Sequence, residues 1–125
     1  MNGIVDRNGR ALLTIPLRGS PEAHPQDTQV WVDTGFTGDL VLPRPVIDQL
    51  QLGPGLAVRA VLADGRMSDL NTFVTWAEWF GELREVEVIS GTGKSALLGV
   101  GMLLGHRLSI DYSENFDLGQ RSLAN

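Results

Sequence analysis

Val30-Trp31-Val32-Asp33-Thr34-Gly35-Phe36-Thr37-Gly38-Asp39-Leu40-Val41-Leu42-Pro43 places an acidic residue between two apolar runs, in a turn rich in glycine and threonine. The run before Asp33 is β-branched or aromatic and reads as a strand, whereas the glycines and hydroxyls after it suit a tight loop closed by backbone hydrogen bonds. Leu40 to Leu42 reads as a second short strand leading away. Asp33 is therefore expected at a strand end, beside backbone N–H groups that Gly35, lacking a Cβ, leaves uncovered. A carboxylate in that position is held rather than merely solvated.

Val32-Asp33-Thr34-Gly35 resembles the Asp-Thr-Gly signature of aspartic proteases, and Phe36 to Pro43 is similar to the small prokaryotic retropepsin-like members. Asp-Thr-Gly also occurs in ordinary turns, so a second motif decides the matter. Ala96-Leu97-Leu98-Gly99, about sixty residues further on, resembles the second hallmark of that fold, two apolar residues and a glycine crossing beneath the catalytic loop before a short helix. The resemblance covers roughly residues 11 to 112. It implies an all-β, retropepsin-like closed β-barrel, one lobe of the acid-protease fold with one or two short helices. On this reading residues 1–112 form the protease domain and residues 113–125 a polar C-terminal tail.

The totals agree with a single lobe. A chain of 125 residues is one domain, and a two-lobed enzyme in one chain requires a second Asp-Thr-Gly, which this sequence does not contain. Fifteen glycines and six prolines indicate many turns between short strands. With no cysteine, disulfides, thiolate metal sites and thiol nucleophiles are all excluded. The net charge is -5 and the ten Lys and Arg residues are scattered, which disfavours nucleic acid as a partner. Met1 to Arg7 has no apolar core of signal-peptide length and no run spans a bilayer, so a soluble, cytoplasmic protein without a membrane partner is expected.

In chain order, Asn8-Gly9 signals a hairpin between Ile4-Val5 and Ala11 to Leu17, where Leu13, Ile15 and Leu17 share a face and Pro16 requires an outward-pointing gap in the ladder. Gly19 to Asp27 reads as a surface loop. Pro45 to Leu52 reads as a short helix with Val46, Ile47 and Leu50 on one face, stopped by Gly53-Pro54-Gly55. Leu56 to Ala63, a turn at Asp64-Gly65, and Thr72 to Trp79 read as a hairpin with a long return strand. A turn at Gly81-Glu82 precedes Leu83 to Ile89, whose Val86 and Val88 alternate with Glu85 and Glu87. Leu97-Leu98 reads as a short buried strand, Val100 to Leu104 as a brief helix or turn, and Arg107 to Tyr112 as the final strand.

Hydrolysing a peptide without metal or covalent intermediate requires one group to take a proton from water and another to protonate the carbonyl or amine; two carboxyls sharing a proton do both. This chain offers one such carboxyl, so the resemblance implies a homodimer in which a two-fold axis brings in Asp33 of another copy. It assigns Asp33, Thr34 and Gly35 to the catalytic loop, with Thr34 bonding across the axis. Leu97, Leu98 and Gly99 brace that loop, Ala63, Asp64 and Gly65 form the tip of a flap over an extended peptide or protein substrate, and the terminal strands make the dimer sheet. Three positions depart from the usual pattern. Phe36 stands where a small residue is common and either narrows the cleft or packs inward, Gly101 replaces a polar residue at the short helix, and the flap turn has one glycine.

No cofactor or metal is implied. His24 and His106 lack ligand-type spacing to a carboxylate. Gly91-Thr92-Gly93-Lys94-Ser95 imitates a phosphate loop, but the full pattern needs a glycine where Val88 stands, and Gly99-Val100-Gly101 lacks the third glycine of a dinucleotide fingerprint at Leu104. Trp76, Trp79 and Phe80 are expected in the core or a dimer interface. Two other readings remain at this level: a protease-like domain that dimerises or binds extended peptide without cleaving it, and a small monomeric β-domain with a structural Asp-Thr-Gly turn.

Overall fold

Alternation along the chain becomes a barrel in the computed structural model, which describes residues 1–56, 58–61, 63–113 and 121–124. The strands are β1 (Asn2–Val5), β2 (Ala11–Arg18), β3 (Gln26–Val32), β4 (Leu40–Pro43), β5 (Gly53–Pro54), β6 (Val58–Val61), β7 (Met67–Leu70), β8 (Thr72–Trp79), β9 (Glu82–Gly91), β10 (Leu97–Leu98), β11 (Ser109–Ile110) and β12 (Arg121–Ala124). Two short helices, α1 (Arg44–Leu50) and α2 (Val100–Leu103), follow β4 and β10. Ten strands form one sheet in the order β11-β12-β1-β2-β3-β10-β4-β9-β8-β5, and an additional β2–β8 pairing closes six of them into a mixed barrel. The closing pairs are Leu17↔Ala77 and Arg18↔Trp76.

The inward face supplies the core. Leu13, Ile15 and Leu17 on β2 are buried, as period-two alternation requires, together with Val30 on β3, Leu40 and Leu42 on β4, Val86 and Val88 on β9, and Leu98 on β10. Each such side chain contributes about 1.5–3 kcal/mol on burial, which makes the barrel interior the main source of stability. Ile47 and Leu50 of α1 and Met102 of α2 plug it from outside the sheet. Pro16 opposes Asp27 of β3, and on its other side the β1 register stops at Leu12 while that of β8 starts at Leu17. No ladder bond is lost there.

The hairpin at Asn8-Gly9 forms, with Gly9 at φ +78°. Asp6 organises it: Oδ1 accepts from the N–H groups of Asn8 (3.0 Å) and Arg10 (2.9 Å), while Oδ2 accepts from Arg10 Nε (2.7 Å). Partial burial alone would raise the Asp6 pKa, but the hydrogen bonds and charge of Arg10, with the bond from Asn8, outweigh it and hold the carboxyl below its ordinary value.

Several boundaries differ from the sequence reading. Helix α1 stops at Gln51, which adopts the left-handed conformation (φ 55°), so Gly53-Pro54 is free to pair with Val74 and Phe73 as β5. The turn after β8 lies at Phe80-Gly81, one residue earlier than expected, with both residues at positive φ (52° and 79°) as a two-residue turn between right-twisted strands demands. Trp79 is buried there, and exposed Phe80 stacks on His106 at 4.2 Å. The final strand before Tyr112 is only Ser109–Ile110. Within residues 113–125, Arg121–Ala124 pairs with β1 on one side and β11 on the other.

Candidate active site

Asp33 leaves the barrel just after β3, where the strand's ladder to β10 is still in force. Trp31 N donates to Ala96 O and Asp33 N to Leu98 O, each at 2.8 Å, so the two residues stand in the same phase of a parallel pairing. The loop then turns back on itself, with Phe36 N donating to Asp33 O at 3.1 Å. Gly35 N donates to Asp33 Oδ1 at 2.9 Å, and an ideal Cβ at Gly35 would lie 3.2 Å from that oxygen. One carboxylate oxygen is thus fixed by a backbone donor, and Oδ2 accepts no hydrogen bond from the described residues. Asp33 is half-buried and Thr34 exposed, so the loop presents its carboxyl and hydroxyl at the surface.

Beneath the loop, β10 is wedged between the strand that enters it and the strand that leaves. Leu97 and Leu98 pair in parallel with Trp31 and Val32, and antiparallel with Val41 and Leu40. Three further bonds stitch the next turn to the loop: Gly99 N to Asp39 O (2.8 Å), Val100 N to Phe36 O (2.8 Å) and Gly101 N to Gly38 O (2.9 Å). The approach is so close that a Cβ on Gly99 would fall 2.2 Å from Gly38 O and 2.4 Å from the Phe36 ring. Phe36 therefore packs inward across Gly38 and Gly99. The segment from Leu97 to Gly101 and the Asp33–Asp39 loop are one hydrogen-bonded unit.

Asp39 closes the loop from the β9 side: its Oδ2 accepts from Glu87 N at 3.3 Å and its Oδ1 lies 4.0 Å from an Arg84 guanidinium nitrogen. Arg84 also donates to Gly101 O at 3.1 Å. A β9 arginine thus ties the Gly101 backbone to Asp39 within one chain. Such a contact joins residues far apart in sequence, and no local signal announces it.

The strands β6 and β7 form a separate two-stranded sheet, with Val58↔Leu70 through Val61↔Met67 in register and Ala63, Asp64 and Gly65 at the tip. Gly65 has φ +87°, and Asp64 accepts from Arg66 N (3.0 Å) and Arg66 Nε (2.6 Å). Val61 and Met67, a cross-strand pair near that tip, are 68% and 56% exposed. Among the described residues no hydrogen bond or ion pair joins the hairpin tip to the Asp33 loop.

Among the described residues no group of His, Cys, Asp and Glu has metal-binding geometry, and no helix is long and apolar enough to cross a membrane. Neither a protein-family model nor a curated protein matches the sequence. Solved structures do. The chain superposes on EIAV protease complexed with the inhibitor HBY-793 with a TM-score of 0.54 at 18% identity, over 81% of this chain and 93% of that one. It superposes on a retropepsin-like aspartic protease from Rickettsia conorii with a TM-score of 0.55 at 16% identity, over 98% of this chain and 88% of that one. The fold is retropepsin-like.

Proposed function

We propose that this chain is one half of a homodimeric aspartic endopeptidase, hydrolysing peptide bonds by a water activated between two Asp33 carboxyls, one per subunit. The observation that carries the reading is the Asp33 carboxylate, one oxygen pinned by Gly35 N–H and the other open, on a loop locked from below by Leu97, Leu98 and Gly99. The chain has no second Asp-Thr-Gly, so the second carboxyl comes from another copy. Two such groups at a two-fold axis share one proton and titrate as a pair. The ionised member takes a proton from water as the oxygen attacks the carbonyl carbon. The protonated member donates to the carbonyl oxygen, and collapse of the tetrahedral species with proton transfer to nitrogen releases amine and acid.

Exposed Thr34 faces its twin across the axis, and Gly35 leaves room for substrate backbone. The hairpin ending in Ala63, Asp64 and Gly65 closes over an extended peptide, and its exposed Val61 and Met67 gain apolar cover when it does. Digestion of a peptide library by wild type and Asp33→Asn in parallel, from mildly acidic to neutral pH, tests the reading. Cleavage by wild type and a loss of at least a thousandfold in the variant is expected. Equal binding of peptides by both proteins with cleavage by neither would instead leave a protease-like peptide-binding domain.

A further inference from the structure

Beside the Asp33 loop runs a groove of about 220 Å³ that the catalytic reading leaves unused. Its lining includes Gln29 and Trp31 of β3, Leu12 of β2, Arg10, and Lys94 and Ser95 of the loop before β10. Gln29, Trp31 and Asp33 are alternate residues of one extended run, so their side chains leave the same face while Val30 and Val32 point into the core. The β2–β3 register ends with Leu12 opposite Trp31, and Arg10, just before β2, lies over the Trp31 ring. The groove therefore opens two residues before Asp33, on the same strand face as the carboxyl proposed to activate water.

Its chemistry is cationic and aromatic in an otherwise acidic protein. Trp31 is 39% exposed, and the Arg10 guanidinium carbon lies 5.8 Å from its ring centroid. Arg10 is held in that place by Asp6, which shares its charge at 2.7 Å. Lys94 is exposed and has no ion-pair partner among the described residues, and no carboxylate lines the groove. A net positive charge is left over an aromatic floor. Gly93 leaves the adjoining loop backbone bare, with nothing within 4 Å of where a Cβ would stand.

We infer that this groove is a substrate subsite selecting an acidic side chain, Asp or Glu, near the scissile bond, with Lys94 as the principal determinant, Arg10 as a partly neutralised second cation, and Trp31 packing the side-chain stem. The assignment rests on the peptidase reading for its cleavage arm and on binding alone for the other. A lysine on a mobile stem reads charge without demanding bidentate geometry, so the preference extends to either acidic residue.

The test uses peptides matched except for Glu, Gln or Lys at each position within four residues of the cleaved bond. Wild type is expected to favour Glu over Gln by about threefold to tenfold in kcat/KM, and Lys94→Glu to turn the preference toward Lys, both effects shrinking in high salt. In parallel, binding of the same peptides is measured by fluorescence anisotropy with Asp33→Asn and with the Asp33→Asn, Lys94→Glu double variant. The affinities are expected to follow the same order. Robust cleavage with an unchanged Glu:Lys ratio in Lys94→Glu overturns the subsite and leaves the peptidase intact. No cleavage, but charge-selective binding that Lys94→Glu reverses, overturns the peptidase and keeps the subsite. Binding indifferent to charge in both backgrounds also rejects the subsite.

Discussion

At the scale of single residues, Gly99 constrains the site as tightly as Asp33 defines it. A side chain there would meet Gly38 O at 2.2 Å, and backbone, unlike the end of a long side chain, cannot swing aside. Gly99→Ala is expected to lower stability by about 1–3 kcal/mol, read from urea midpoints, and to cost peptidase activity out of proportion, because the displaced turn carries the bonds to Phe36, Gly38 and Asp39. Unchanged activity at reduced stability would show that the brace is dispensable to the loop. Gly35→Ala offers the contrast, since its Cβ would meet only Asp33 Oδ1 at 3.2 Å. The turn at Asp33 and the close backbone approach at Gly99 were readable from their motifs. The outward Trp31 was readable in principle from its alternation with Asp33, whereas Lys94 was obscured by a glycine-rich run that imitates a phosphate loop.

Among the elements, the β1–β2 turn has the best-defined electrostatics. Asp6 has a folded pKa below its ordinary value of 3.8, so its contribution to stability is full above that value and is lost as pH falls through the lower folded pKa. Asp6→Asn keeps an oxygen for the turn and removes the charge. Wild type is expected to exceed Asp6→Asn in urea midpoint near neutral pH, and the two to converge as pH drops below 3.8. A constant gap down to pH 2 would assign the effect to packing instead. At this scale the long strands were legible because alternation marks them. The stop of α1 was not, because a glutamine in the left-handed region carries no sequence signal, and β5, only two residues long, is defined by its distant partner β8. Tertiary pairing decided both.

For the whole molecule, the proposed shared site makes activity depend on two copies. If the dimer dissociates in the assay range, specific activity must rise with enzyme concentration, and the break in that rise should coincide with the monomer–dimer midpoint seen in sedimentation. Strict proportionality through dissociation would reject a shared site. The barrel itself was legible as a class from strand count, turn density and the two motifs. Its closure through Leu17↔Ala77 and Arg18↔Trp76 was not, since those residues lie far apart along the chain and share no pattern.

The large sheet ends at β11 and β5, each a two-residue strand, and β1 already has β2 and β12 as neighbours. A strand two residues long offers almost no template for main-chain recruitment. Among the described residues, the longer exposed margins belong to the small sheet of β6 and β7. Crowding should therefore favour discrete complexes over fibrils, and any ordered aggregate that does grow should start by stacking that hairpin.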